Sequence, residues 1–246
     1  MKDIATMNRK KFSKIIFCFL CACIPLVLWI IAPGKQLVFY GFYNSLLTFG
    51  KIAGIIGICF FSGNLILSGR YHFLDYWFNG LDQLYLFHRR TGIYTFTILS
   101  FHVLAISLQP LQFSFGLFSS SLFDFRHWYI NFGRIAYIGL LITVILTLTL
   151  SGKVKYERLK KMHQCMGIFL FFGGLHAFFI PSDISQNLYL RYYVLTLALL
   201  SFVSYLWRTV FRKWLLIKIS CDVIGVNELT GSVTEVVLKP KNGKKV

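Results

Sequence analysis

The chain has 246 residues, of which 56% are hydrophobic and only 14% charged, with mean hydropathy +0.63 and a formal net charge of +17. Charged residues make up about a quarter of an ordinary soluble domain, so this composition excludes that class and specifies a polytopic membrane protein. The cations stand at the ends of apolar runs, which argues against nucleic acid as a partner and for membrane lipid.

Met1 to Lys14 is a short basic leader, expected as a cytoplasmic N-terminus. An apolar run of 18 residues follows, Ile15 to Ala32, closed by Pro33-Gly34. That run is read as a first transmembrane helix, because Ala32-Pro33-Gly34 is a poor small-residue cleavage site for a signal peptide. Cys18 and Cys21 have CxxC spacing, but they lie with Cys23 inside the run and no second pair completes a zinc site. A second span is expected over Leu46–Leu67, where Gly50, Gly54, Gly57 and Gly63 suit close helix packing. Gly69 to Gln83 reads as a loop. The third span covers about Leu84–Leu108 and ends at Gln109-Pro110, and a Phe- and Ser-rich loop reaches Asn131, with Trp128 and Tyr129 suited to a membrane interface. A fourth span, Phe132–Ser151, precedes the basic connector KVKYERLKK. The fifth runs from Met162 to Ile180, stopped by Pro181, Ser182 and Asp183, and the sixth from Leu188 to Phe211. His72 and His127 fall in loops and read as surface residues.

Orientation follows from the loops. Of the 26 Lys and Arg, 17 fall on the side of the N-terminus, five at or towards the other face (Lys35, Lys51, Arg126, Arg134, Arg191), and four in the tail after residue 218. Positive charge is retained in the cytoplasm, so six spans with both termini cytoplasmic are expected, in a plasma (bacterial inner) membrane. The third and fifth spans then run the same way.

Those two spans carry four histidines. His88 and His102 are 14 residues apart, and His163 and His176 are 13 apart. At a rise of roughly 1.5 Å per residue each pair is separated by about 20 Å along its helix. Parallel helices put His88 level with His163, and His102 level with His176. Polar groups at membrane depth are costly and face the bundle interior with a partner. Neutral imidazole is a favoured axial ligand of haem iron, and two imidazoles from facing helices make a six-coordinate site suited to electron transfer. A zinc or copper pathway also uses histidine, but carboxylates and thiolates are sparse nearby. Helical phase raises a question. Fourteen residues fall only about 40° short of whole turns, whereas thirteen fall about 140° short. The fifth helix must therefore be tightened or kinked, with Gly167 and Gly173-Gly174 as candidates, or present its histidines on different sides.

The strings DQLYLFHRRTGIYTFTILSFH and ERLKKMHQCMGIFLFFGGLH, with histidines 14 apart on a third helix and 13 apart on a fifth, resemble the transmembrane domain of the NADPH oxidase and ferric reductase family over about Gly50 to Trp214. The resemblance implies an all-α membrane protein, a six-transmembrane-helix bundle holding two stacked b-type haems. His88 with His163 would ligate the inner haem and His102 with His176 the outer one, with Phe169 between them. Arg89 and Arg90 would neutralise the inner propionates. Lys51 stands where family oxidases carry a cation near the outer acceptor or propionate, with Arg134 and Arg126 as weaker candidates at the same face. Family members that make superoxide often have a further histidine one turn beyond the outer ligand on the third helix. Ile106 stands there, which leaves both oxygen and ferric iron open as acceptors.

From Ile219 the pattern turns soluble and alternating, and Gly225 to Leu238 suggests two strands joined by a Thr-Gly turn. This resembles the start of the family's flavin-binding barrel. No HPF[ST]-like flavin motif and no Gly-rich nicotinamide motif follow, so FAD and NADPH are expected on a missing C-terminal domain or on a separate dehydrogenase partner, truncation being favoured. The expected organisation is 1–14 N-terminus, 15–214 haem domain and 215–246 incomplete flavin-binding β domain. The expected activity is an oxidoreductase passing electrons from a cytoplasmic reduced flavin through two haems to an outer acceptor. The alternatives are a haem-binding subunit fed by quinol or a separate flavoprotein, and a histidine-based proton or metal transporter.

Overall fold

The structure, a computed structural model, describes residues 2–32, 41–211, 220–230 and 233–241. Pro33-Gly34, Lys35, Arg212, Lys213, Trp214, Lys218 and Gly231, and with them the boundary expected at 214/215, lie outside the described residues. The chain divides into two compact units, Met1–Arg208 and Thr209–Val246.

Six helices are long and apolar enough to cross a membrane: Lys10–Ile30, Gly41–Leu67, Leu81–Gln112, Trp128–Leu150, Glu157–Phe179 and Leu188–Phe211. They match the six expected spans in number and, within a few residues, in position. Two expected loops contain helices. Residues 72–78 form one, closed by Asn79 in the left-handed region (φ 63°), and Gly80 (φ 108°) leads straight into the third span at Leu81. The loop before Trp128 holds a 3₁₀ turn, Gln109–Gln112, and a helix, Phe115–Leu122, whose first turn is capped by the Ser114 hydroxyl accepting from the Leu117 N–H at 3.1 Å. Both short helices carry aromatic residues that loop composition had suggested were irregular.

Contacts between the helices show that they alternate in direction. The second span meets the third at Gly50–Ala105 and again at Asn64–His88, and the fourth meets the fifth at Gly133–His176 and Gly139–Phe169. We call the end at which the first span begins the near face and the opposite end the far face. The second span is the central one, with 56% of its window buried against 11–28% in the others. Its small residues explain why. A Cβ on Gly57 would stand 2.6 Å from Leu99, and one on Gly63 2.8 Å from both the Cys21 sulfur and Phe17, so neighbouring helices press directly on its backbone. The glycines read as packing surfaces are that. In lipid there is no hydrophobic drive between helices, and close packing with interhelical hydrogen bonds of about 0.6 kcal/mol each holds the bundle. Tyr137 Oη to Ser100 (3.0 Å) and Tyr71 Oη to Ser204 (2.8 Å) are such bonds.

The first span has a π turn at Phe19–Cys23. Pro25 follows it, and proline lacks an N–H and crowds the carbonyl four residues back, so the turn before it widens. The Ile24 N–H closes on Phe19 O, and the freed Leu20 carbonyl accepts the Tyr193 hydroxyl of the sixth span. Eight residues on, Leu28 O accepts from Asn187 Nδ2 at 2.8 Å.

At the far face Asp183 gathers three parts of the bundle. Its Oδ2 accepts from Trp29 Nε1 at 2.7 Å and its Oδ1 faces Lys51 Nζ at 3.3 Å. Asp183 is the more enclosed partner, with 18% of its side chain exposed against 42% for Lys51. Removing the carboxylate loses both interactions, whereas removing the lysine leaves the Trp29 bond in place. Asp183→Ala is therefore expected to destabilise by about 2 kcal/mol and Lys51→Ala by about 1 kcal/mol or less, after screening. Thermal unfolding in detergent measures both, and a lysine variant at least as destabilised as the aspartate variant would contradict this.

In the second unit, β1 (Cys221–Thr230) pairs antiparallel with β2 (Val233–Pro240), from Cys221 opposite Pro240 to Thr230 opposite Val233, with irregularities at Val223/Gly225 and Glu228/Thr230. The two-strand segment expected at the C-terminal end is present. Val223, Val226, Val236 and Leu238 are exposed, and an isolated hairpin is marginal in water.

Candidate functional site

The four histidines come together by level, on the near and far halves of the third and fifth spans. His88 and His163 stand with ring centroids 6.1 Å apart and planes at 83°. His102 and His176 are within electrostatic reach of each other. Among the described residues no three His, Cys, Asp or Glu side chains gather, so the histidines meet in twos.

Three of the rings are oriented by backbone. His88 Nδ1 lies 3.0 Å from Asn64 O, His102 Nδ1 2.8 Å from Gly50 O, and His176 Nδ1 2.8 Å from Tyr129 O. A carbonyl oxygen only accepts, so in each ring Nδ1 carries the hydrogen and Nε2 holds the lone pair. The far pair shares one local design. The His102 ring lies on Gly54 and donates to Gly50, four residues earlier on the same helix; the His176 ring lies on Gly133 and donates to Tyr129, again four earlier. A Cβ at Gly54 would stand 2.7 Å from the His102 ring, and one at Gly133 2.9 Å from the His176 ring. Only glycine leaves that surface bare enough for an imidazole to lie flat on the helix.

At the near pair the Asn64 carbonyl serves two donors, His88 and the Ser68 N–H at 3.2 Å. The Asn64 side chain accepts from Thr91 at 2.7 Å, which locks the second span to the third one turn from His88. Arg208, on the sixth span, acts electrostatically on both near histidines. Arg89 and Arg90 follow His88 in sequence and are exposed.

The fifth span is not one helix. Tyr156–Gln164 and Met166–Phe179 are separated at Cys165, where Cys165 N bonds Met162 O at 3.1 Å and Ile168 N bonds Cys165 O at 2.9 Å. These are i to i−3 bonds, a short tightening that advances each residue by about 120° instead of 100° and removes roughly 60° of the phase mismatch between His163 and His176. The tightening sits at Cys165, not at the glycines expected to provide it. Gly167 takes the Tyr205 ring against its backbone, while Gly173 and Gly174 face Ala136 and Ala198 at ordinary distances of 3.8 and 4.0 Å.

Phe169 lies between the two histidine levels, its ring pressed onto Gly139 of the fourth span. Lys51 is paired with Asp183 as described. Arg134 spends its guanidinium on the chain: it donates to Asp124 O at 2.6 Å, Ser121 O at 2.9 Å and Asn131 Oδ1 at 3.0 Å, and covers the Phe125 ring at 4.9 Å. The exposed Arg126 pairs with the half-buried Asp124, and its guanidinium holds that carboxyl below the usual carboxylate range. An open cavity of about 340 Å³ lies at this face, lined by Gln109, Phe113, Leu117, Ser120, Asp124 and Arg126 among others.

Residues 53–174 match the family described as ferric reductase like transmembrane component. Over those residues the chain is similar to a ferric reductase-like transmembrane component. The match includes His88, His102 and His163 and ends two residues before His176. No curated protein matches the chain. The matched segment runs from within the second span to within the fifth and includes the carbonyl acceptors Asn64 and Tyr129. With its six long apolar helices, the chain is a multi-pass membrane protein. Asn64, Gly54, Gly133, Gly139 and Arg208 were not singled out as site residues by sequence. Only the spacing of the acceptors, with Gly50 and Asn64 14 apart like His102 and His88, was there to be read.

Proposed function

We propose that the chain is an oxidoreductase that carries electrons across the membrane through two b-type haems, one held by His88 and His163, the other by His102 and His176. The observation that carries this reading is the near pair, two imidazoles 6.1 Å apart across parallel helices. A metal ion midway would be about 3 Å from each ring centroid, close to a metal–nitrogen bond of about 2 Å plus the distance from nitrogen to ring centre. Three Nδ1–H···O=C bonds support it further, because they present Nε2 unprotonated and raise its basicity, as partners of metal-bound histidine do.

Bound there, haem would be held by these histidines and would supply one-electron transfer. The chain's own residues do the rest. The carbonyls of Asn64, Gly50 and Tyr129 fix ring tautomer and angle, and Phe169 fills the space between the two levels. Arg208, with Arg89 and Arg90, places positive charge where anionic propionates would end at the near face. Lys51 is reserved by Asp183, so its part at the far face is to hold the first, second and sixth spans' ends around the outer pair rather than to bind an acceptor alone.

On this reading the near face is cytoplasmic, in keeping with the charge asymmetry, and lies in a plasma (bacterial inner) membrane. Electrons enter there from reduced flavin, with FAD and NADPH on a dehydrogenase domain that continues the chain or is a separate partner. They leave at the far face to oxygen, giving superoxide, or to ferric iron, and the open cavity beside Gln109 and Arg126 gives a small acceptor room.

A dithionite-reduced spectrum of the purified protein is expected to show low-spin b-type haem at two per chain. His102→Ala together with His176→Ala is expected to remove half of it. A colourless wild-type protein, or a spectrum indifferent to both substitutions, overturns the proposal.

A further inference from the structure

The first and third spans run the same way, and at the near face they meet along two rows of matched spacing. Lys10, Lys14 and Phe17 stand at i, i+4 and i+7 on one helix, and Gln83, Phe87 and Arg90 at i, i+4 and i+7 on the other, so each row occupies one helical face. The rows touch in register. Lys10 Nζ donates to Gln83 Oε1, Lys14 Nζ lies over the Phe87 ring at 5.8 Å, and Phe17 and Phe87 meet edge to face at 5.2 Å. Arg90 is two residues past His88, about 200° round the helix, and acts electrostatically on Lys14. Three cations thus converge on one groove, and among the described residues none of them has an ion-pair partner. Like charges four apart on a helix repel, and an anion shared among them reverses the sign.

We infer that this groove holds the phosphate of an anionic membrane lipid, gripped by Lys10, Lys14 and Arg90. Depth selects a lipid over a free anion. The helix 72–78 is tied beside the groove by the Ser13 hydroxyl, which donates to Trp77 O at 2.8 Å, and its Phe73, Tyr76 and Trp77 are exposed. Aromatic side chains of this kind sit at headgroup level, so the cations beside them stand where lipid phosphates are. Ile15 and Phe19 on the first span and Ile93 on the third are exposed further towards the bilayer centre, where acyl chains can lie along them. Lysine brings a compact charge on a flexible stem and arginine a planar fork, both suited to phosphate oxygens. Basic clusters at the ends of membrane helices recognise anionic headgroups through this chemistry. The lipid site is independent of what the histidine pairs hold.

The experiment titrates the full chain in neutral detergent with phosphatidylglycerol, phosphatidylcholine or inorganic phosphate and counts retained ligand by native mass spectrometry. Each basic residue near a membrane surface contributes about fivefold to the affinity for anionic lipid. The wild type is therefore expected to bind phosphatidylglycerol at least about tenfold more tightly than phosphatidylcholine, Arg90→Gln to weaken it about fivefold, and Lys10→Gln/Lys14→Gln/Arg90→Gln about 100-fold. Lys153→Gln/Lys155→Gln/Arg158→Gln removes the same charge from exposed positions on the same face and is expected to leave the affinity within about twofold. Equal losses in the two triple variants would mean that diffuse charge holds the lipid, which overturns the groove. Phosphatidylcholine bound as tightly as phosphatidylglycerol, or inorganic phosphate displacing the lipid at equal concentration, overturns the choice of ligand. Where the triple variant in the groove fails to fold, the exposed Arg90 decides alone, and an affinity unchanged in Arg90→Gln overturns the inference.

Discussion

Alanine at Gly54 or Gly133 is expected to remove the far haem and leave the near one. A methyl group at Gly54 would stand 2.7 Å from the His102 ring, and at Gly133 2.9 Å from that of His176, closer than real Cβ contacts come. Neither ring can back away without giving up its Nδ1 bond of 2.8 Å to Gly50 O or Tyr129 O. Glycine to alanine within a helix otherwise stabilises by about 1 kcal/mol, so the sign of the effect separates collision from propensity. Overpacking costs about 1–3 kcal/mol. Each variant should therefore show about half the wild-type haem and a lower unfolding temperature in detergent. Gly173→Ala is the control, since its methyl would meet Ala136 at 3.8 Å, an ordinary contact, and it should be neutral or stabilising. If all three variants behave alike, the glycine cradle is not what positions the far histidines.

Replacing Arg134 is expected to loosen the stretch that aims His176, and lysine is expected not to rescue it. The guanidinium spans two carbonyls and the Asn131 amide oxygen, and Asn131 Nδ2 in turn donates to Phe125 O at 2.7 Å. Residues 121–134 are thereby folded into one clasp that includes Tyr129, the acceptor for His176. Hydrogen bonds from a charged donor contribute about 1.5–3 kcal/mol each when no unpaired group is left behind, and these are half-buried, so Arg134→Ala should cost about 3 kcal/mol in all. Lysine keeps the charge but not the planar fork. Hydrogen exchange over residues 121–131 should rise for both Arg134→Ala and Arg134→Lys, with a shift in the midpoint potential of the far haem. A lysine variant that behaves like wild type would mean that positive charge at this face, rather than the fork, is what counts.

The spans were legible because bilayer thickness dictates length and hydropathy, and nothing local competes with that signal. The histidine levels were legible too, since spacing along a helix converts directly to depth. What the sequence hid has a common cause. Acceptors such as Asn64 O and Tyr129 O are backbone atoms, present at every residue, so no side chain marks them. The break in the fifth span is at Cys165 rather than a glycine, because two i to i−3 bonds can be made by any residue when neighbouring helices demand the turn, whereas Gly167 was needed under Tyr205. Lys51 looked like a cation without an anion because its partner, Asp183, lies 132 residues away, beyond the reach of local pattern. The helices at 72–78 and 115–122 were missed because a helix of one or two turns shows too little periodicity to separate from an aromatic loop.

The Leu20 and Leu28 carbonyls bear on how the protein is assembled. Both belong to the first of the six helices, and both accept from the sixth or from the turn before it, at Tyr193 and Asn187. Pro25, five residues on, has no N–H to offer Leu20 O, and the Ile24 N–H closes on Phe19 O. Until the sixth helix has inserted, Leu20 O thus lacks its Tyr193 donor in the lipid phase, and insertion of the sixth helix ties it to the first. Truncation before residue 187 should leave a species that inserts but unfolds at a lower temperature in detergent, since both bonds to the first of these six helices are lost.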